Sequence, residues 1–413
     1  MKLATLCLTL LLLAAALSIL SVGTSQALPA FARREGVKCQ MCHLRLPELN
    51  EDGHSYIRRG LREEPAMGAT MGATMGGGGA MPGMAMGSGD AAKPPAASSD
   101  HALGEALPLE WQNYLTLMGH HMLSAHRHAK TDLQEGGVDL WAGGPLDTHW
   151  SALANLAIDI PSGALDVEQA YAQYNTSWTP RFQSVRVGQL LPLAILFNGG
   201  GVAMPLSAPL VLEMPSSERN PWTPTTLIRG VELGAVDLPH WNAYVGAGQP
   251  RIESADGITP HTDVYASAEV LIGKQGDAVS AFGYKGSAIA VPGQPALDFQ
   301  RAMVFANAYG PREKAVLGLL WGTDSPEGEK HLGISGGFLL GEYLFTDRWA
   351  GYARYDRSRR EVAGADPEVT DGPTFGVSCW AQTHVRITLE TRFLKAPAGS
   401  DDRSLMAEFL WVF

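Results

Sequence analysis

Two cysteines and a histidine lie close together near the amino-terminal end of the sequence. Cys39, Cys42 and His43 form the pattern Cys-x-x-Cys-His, which is the attachment motif of a c-type haem. Residues three apart share one helical face, so both thiols can meet one edge of a porphyrin while the adjacent imidazole reaches the iron. The motif predicts one covalent haem c, with Cys39 and Cys42 as thioether anchors and His43 as the proximal ligand.

A zinc half-site and a disulfide are the alternative interpretations of this motif. Zinc would need further ligands at finger-like spacing, and the other two cysteines, Cys7 and Cys379, are far apart in the sequence. Haem attachment is therefore the favoured interpretation.

An apolar segment precedes the motif. Lys2 gives a positive start, residues 6–20 are mostly apolar, and Ser25-Gln26-Ala27 is a small-residue cleavage site, which together are typical of a secretory signal peptide. We therefore expect residues 1–27 to be cleaved on export, the setting that covalent haem attachment needs. The net charge of -11 argues against nucleic acid as a partner.

The segment 28–64 is predicted to be a small monohaem cytochrome c module. Helices are expected around residues 29–35 and 48–59, on either side of the haem motif. Fewer than 40 residues cannot bury a sufficient core alone. The haem itself would have to form that core.

Residues 65–106 change character. Met67 and Met71 begin a Met-Gly-Ala-Thr repeat, and glycines, prolines, alanines and further methionines follow. The composition is typical of a flexible tether. A soft-ligand site for Cu(I) is the alternative interpretation of the methionines.

The remaining residues, 107–413, alternate with period two. Apolar residues such as Leu389 alternate with charged ones such as Glu390 and Arg392, and the chain ends on the aromatic Phe413. One apolar and one charged face suit a strand between lipid and an aqueous lumen. The pattern predicts an all-β transmembrane barrel of about 16 antiparallel strands, preceded by the helical cytochrome module.

The predicted connections alternate in length, which supports the same fold. Short ones fall near residues 147–150, 178–181, 238–240, 274–276, 311–313, 347–348 and 382–384, with generally longer ones between them. The longest is expected at residues 194–223, where Gly199-Gly200-Gly201 is interpreted as a turn. Short turns on the periplasmic side and long loops outside are typical of outer-membrane barrels. A β-sandwich is the alternative, but its inner face would have to bury charges such as Glu390 and Arg392.

The distal ligand of the haem iron has several candidates. Met67 and Met71 rank first, followed by His54 and then Met118, and a His/Met pair would raise the potential.

A histidine cluster lies on the first predicted strand. His120, His126 and His128 share one side of the strand with Met118, and imidazoles bind transition metals near neutral pH. The three histidines are candidate ligands for iron or copper, although a polar lumen without a bound metal is the simpler interpretation.

The amino-terminal residues resemble a known family. The stretch Leu28-Pro-Ala-Phe-Ala-Arg-Arg-Glu-Gly-Val-Lys-Cys39-Gln-Met-Cys42-His43, with Pro47-Glu-Leu-Asn50 and Gly53 after it, is similar to the start of the fused monohaem cytochrome–porins. The resemblance implies an outer-membrane protein in which a small cytochrome precedes a barrel of roughly sixteen strands. The best-known members are iron oxidases. This sequence departs from the pattern in its long Met-rich linker and in His54, where another basic or polar residue is usual.

Three functions compete. The first is electron transfer across the outer membrane, from an extracellular metal ion such as Fe(II) to a periplasmic c-type cytochrome or other carrier; as an enzyme this would be an Fe(II):cytochrome c oxidoreductase. The second is a porin that transports a metal such as copper, with the haem module as plug or sensor. The third is a soluble periplasmic haem enzyme with a large β-domain. The first two place the barrel in outer-membrane lipid, with the cytochrome module in the periplasm or inside the lumen.

Overall fold

The computed structural model describes most of the chain outside the amino-terminal end and the 63–113 segment. The described residues are 30–35, 42–45, 48–62, 114–126, 132–160, 162–177, 179–200, 205–213, 220–238, 240–251, 261–272, 277–288, 297–326, 331–361, 364, 366–382, 384–397 and 402–412. The expected signal peptide and tether, together with Cys39, Met67, Met71 and His128, lie outside these residues.

The larger part of the chain is a closed antiparallel barrel. It consists of β3 (Leu115–His126), β4 (Asp132–Pro145), β5 (Trp150–Asp159), β6 (Leu165–Asn175), β7 (Arg181–Leu190), β8 (Ile228–Asp237), β9 (Trp241–Pro250), β10 (Asp263–Leu271), β11 (Ala278–Ala288), β12 (Leu297–Tyr309), β13 (Glu313–Pro326), β14 (Leu332–Thr346), β15 (Trp349–Arg360), β16 (Glu368–Gln382), β17 (Val385–Leu394) and β18 (Asp402–Val412). Each strand pairs with the next, and β18 pairs with β3 to close the ring. The predicted sixteen-stranded barrel is confirmed.

The side-chain alternation explains why these residues form a barrel. On β17, Leu389 and Phe393 point outward and are exposed, whereas Thr388 and Glu390 point inward and are buried. Outward residues on the other strands are also largely apolar and exposed. An apolar outer belt faces the lipid, as a bilayer requires of a barrel, while the interior holds buried polar and charged groups such as Glu390 together with apolar side chains such as Phe305. The alternation of short and long connections also agrees with the prediction; only residues 347–348 separate β14 from β15.

Several inward aromatic rings lie over a glycine of the neighbouring strand. The ring of Tyr265 covers Gly246, where an added Cβ atom would stand 2.1 Å from the ring. The hydroxyl of Tyr265 also donates to Glu232 at 2.9 Å, which fixes the ring. A side chain at position 246 would therefore displace a buried, hydrogen-bonded tyrosine.

We expect Gly246→Val to destabilise the barrel by about 1–3 kcal/mol, because overpacking forces neighbours out of their rotamers. Gly283→Val is the matched control, since an added Cβ there meets nothing within 4 Å. The midpoint of urea unfolding in detergent, followed by the heat-modifiable gel band, measures the difference. Equal midpoints for the two variants would contradict this account of Gly246.

The amino-terminal segment, which comprises residues 30–35, 42–45 and 48–62, forms four short elements inside the barrel. These are α1 (Ala30–Glu35), the antiparallel pair β1 (His43–Arg45) and β2 (Glu48–Leu49), and α2 (Glu51–Arg58). The second predicted helix begins later than expected, because Asn50 caps it by accepting a hydrogen bond from the Gly53 N–H at 2.9 Å. None of the helices in the described residues combines the length and apolarity needed to cross a membrane.

The long connection between β7 and β8 folds into the lumen. It carries α3 (Leu193–Ile195), a π-helical turn (Leu196–Gly200) and α4 (Leu210–Glu213). Leu193, Ile195 and Leu212 are buried against the inner wall. We call residues 193–200 and 205–213 the inward loop.

Candidate functional site

The first helix is attached to strands β3 and β4. The backbone N–H of Ala30 donates to Thr116 Oγ1 at 3.0 Å. The guanidinium of Arg34 donates to the carbonyl oxygens of Gly143 at 3.2 Å and Leu61 at 2.6 Å, and it lies 5.6 Å from the ring centroid of Tyr114. Arg34 therefore joins both ends of the amino-terminal segment to one side of the barrel.

The second helix and the strand before it contact other parts of the wall. Arg58 forms an ion pair with Glu269 on β10, and its carbonyl oxygen accepts from Gln173 Nε2 on β6 at 2.7 Å. Glu48 forms an ion pair with Lys314 on β13. Since these strands lie on different sides of the ring, the segment spans the lumen. The wall residues named here lie at the barrel end that has the short turns.

The amino-terminal segment, the inward loop and the wall line a cavity of about 560 Å³. Cys42, His43 and His54 line it from the segment, and Phe197 lines it from the inward loop. Much of the remaining lining is apolar or aromatic, contributed by Phe31, Tyr56, Ile57, Leu61, Trp141, Leu153, Tyr171, Leu196, Val316, Phe338 and Leu340. The volume falls within the roughly 300–1,000 Å³ of typical cofactor pockets. A mostly apolar cavity beside a cysteine and two histidines fits a haem.

The first turn of α2 packs directly against the haem motif. The backbone N–H of Asn50 donates to the Cys42 carbonyl oxygen at 3.0 Å. A Cβ atom on Gly53 would come within 2.1 Å of that same oxygen, so only glycine permits this approach. The arrangement fixes His54, the next residue, relative to Cys42 and His43.

The imidazole of His54 is partly buried and lines the cavity. Its ring centroid is 4.4 Å from that of Phe197, with 31° between the planes. Desolvation lowers the pKa of His54 to about 3, with smaller contributions from the positive charge of Arg58 and from His43. The ring is therefore neutral at ordinary pH, which is the form that binds metals.

The other candidate ligands are only partly brought together. Met118 lines the same cavity, and His120 faces the lumen with its Nδ1 3.7 Å from Asp139 Oδ2. His126 is the last residue of β3. In the part of the chain that the structure describes, no three His, Cys, Asp or Glu side chains form a metal site. The histidine cluster predicted for iron or copper therefore stays a prediction, with His128 outside the described residues.

Sequence reasoning missed the inward loop. Residues 194–223 were expected to be the longest external loop, and Gly199-Gly200-Gly201 to be turn chemistry. Gly199 does have a positive φ of 104°, but the loop also supplies Phe197 and Ser207 to the cavity. The run of apolar residues from Leu190 to Phe197 was the available signal, because an exposed loop has no reason to be so apolar.

Comparison with solved structures identifies the architecture. The anion-selective porin from Comamonas acidovorans aligns with 72% of this chain and 99% of its own, with a TM-score of 0.56 at 12% identity. OmpT of Vibrio cholerae aligns with 72% of this chain and 97% of its own (TM-score 0.55, 10% identity). OmpF of Salmonella typhi aligns with 73% and 96% (TM-score 0.52, 12% identity).

The fold is that of a porin. At these identities the likeness concerns the fold alone. No protein-family model matches the sequence. No curated protein matches it either.

Proposed function

We propose that the chain is an outer-membrane barrel that carries one haem c inside its lumen and conducts electrons across the membrane. The observation that carries the proposal is the position of Cys42 and His43 on a mostly apolar cavity between the amino-terminal segment and the inward loop. Lipid is an insulator, so a redox centre held within the barrel offers electrons a path through the membrane. Residues 28–64 are the proposed cytochrome module and 65–106 its tether.

The chain's own residues have distinct proposed roles. Cys39 and Cys42 anchor the porphyrin, and His43 is the proximal iron ligand. When bound, the haem supplies a one-electron carrier. Arg34, Arg58 and Lys314 hold the module against the wall, and the apolar side chains around the cavity exclude water. The proposed donor is extracellular Fe(II), and the proposed acceptor is a periplasmic c-type cytochrome or similar carrier.

Cys42→Ala is expected to reduce or abolish covalently bound haem, because one of its two thioether anchors is lost. Haem-dependent peroxidase staining of a denaturing gel measures this, with Cys379→Ala as the matched control. Cys379 lies on β16, away from the cavity, so the control keeps its haem. A wild-type protein exported without haem would refute the proposal.

An electron-transfer assay in vesicles tests the proposed direction of electron flow. Outer-membrane vesicles that hold oxidised cytochrome c inside receive Fe(II) only outside. We expect the internal cytochrome to become reduced with the wild-type protein and to stay oxidised with Cys42→Ala. Equal reduction with both proteins would show that electrons pass by another route.

The second candidate is a porin whose channel transports copper or another metal ion. The observation that favours it is the porin fold itself, which the solved structures above share. In this proposal the amino-terminal segment is a plug or haem-bearing sensor. Metal uptake into proteoliposomes, without electron transfer to an internal cytochrome, would favour this function over the first.

A further inference from the structure

The cavity contains an imidazole that the attachment motif does not use. His54 lies on the cavity wall with Cys42 and His43. No described residue forms a hydrogen bond with its side chain; its ring contact is with Phe197. A histidine side chain inside a protein normally has a partner for at least one ring nitrogen, so a partner is expected in the cavity itself.

The contacts of His54 leave its ring nitrogens available. Phe197 lies against the face of the imidazole at 4.4 Å, whereas the nitrogens lie on the ring edge. The guanidinium of Arg58 lies 4.6 Å from the centroid of the same phenyl ring. Phe197 therefore packs against two residues of α2 and limits how the imidazole can turn.

Met118, the other described candidate for the distal position, has different surroundings. Its side chain packs against Ala32 and Val412 in an apolar cluster, where a thioether is an ordinary space-filling group. His54, in contrast, is tied to Cys42 through the packing of Gly53 and the hydrogen bond of Asn50.

We propose that His54 is the distal ligand of the haem iron and that Phe197 is its positioning residue. The inference rests on the proposed function, because it requires the haem. It predicts two imidazole ligands, and hence a lower potential than a His/Met pair would give. It also makes the ligand dependent on the inward loop, since Phe197 belongs to that loop.

Three variants test the inference in the full-length holoprotein. His54→Ala is expected to lose the low-spin optical and electron paramagnetic resonance signals, and added imidazole is expected to restore them. His54→Met is expected to remain low-spin with a raised potential. Met118→Leu, the matched control, keeps the wild-type spectrum and potential.

Phe197→Leu tests the positioning role. We expect it to keep covalent haem but to bind cyanide faster than wild type, because a less restrained imidazole leaves the iron more often. If the variant binds cyanide at the wild-type rate, Phe197 does not position His54.

Two failures are distinguishable. Wild-type protein without covalent haem on a denaturing gel would refute the proposed function. If His54→Ala carries covalent haem and keeps an unchanged low-spin spectrum, only the assignment of His54 is overturned. Loss of the low-spin spectrum in Met118→Leu would overturn the same assignment.

Discussion

Deleting residues 28–106, with the signal peptide kept, is expected to widen the aqueous path through the barrel. The segment 30–62 crosses the lumen through contacts with strands β3, β4, β6, β10 and β13. A sixteen-stranded barrel without such a plug is wide enough for an aqueous channel. Single-channel conductance in planar bilayers measures the change. The inward loop remains in the deleted protein, so a porin-like constriction is expected to persist.

Deleting residues 65–106 alone is the control. The Arg34 guanidinium contacts both Leu61 and Tyr114, so these residues lie close together and a short connection can join them. This shorter protein should conduct as little as wild type. If both deletions open the pore equally, the amino-terminal segment is not what closes it.

Arg186→Met is expected to destabilise the barrel by about 3–5 kcal/mol, because it leaves a buried carboxylate without its cation. Arg186 Nη1 lies 2.8 Å from Glu232 Oε1, and both side chains are 1% exposed. The guanidinium also lies 4.4 Å from the ring centroid of Tyr171, which lines the cavity. Urea unfolding of the purified protein in detergent measures the loss.

Arg181→Met is the matched control on the same strand. Arg181 pairs with Asp237, but its side chain is 77% exposed, so its loss should cost about 1 kcal/mol or less. The double variant Arg186→Met, Glu232→Gln should recover much of the stability, since no unpaired charge then remains. Equal costs for the two single variants would show that burial does not decide the strength of these pairs.

The barrel could be predicted from the sequence because the alternation that produces it lies within each strand. A strand between lipid and lumen alternates along its own residues, as Leu389 and Glu390 do, and the sequence displays that period directly. The haem motif could also be predicted, because its residues are close together in the sequence. Cys42 and His43 are neighbours in the chain, and their chemistry can be read without knowing the fold.

The rest of the site depends on contacts distant in sequence. Nothing near Arg58 indicates a partner 211 residues away at Glu269. Strict alternation also fails where the register shifts between β5 and β6. There the side chains of the consecutive residues Glu168 and Gln169 both lie on the lumen side. Glu168 accepts a hydrogen bond from Asn155, and Gln169 lines the cavity. Such bulges re-aim side chains and have no simple sequence signature.

The pairing of β3 with β18 has a consequence for biogenesis. The ring joins its first strand to its last, so the cylinder cannot be sealed before the carboxyl-terminal residues have been synthesised and exported. The interior occupant is encoded upstream of every wall strand and is therefore exported first. If it carries a porphyrin, the haem-ligating machinery has its easiest access while the wall is still unassembled. Maturation of the cofactor and insertion into the membrane would then be ordered events, with the cofactor first.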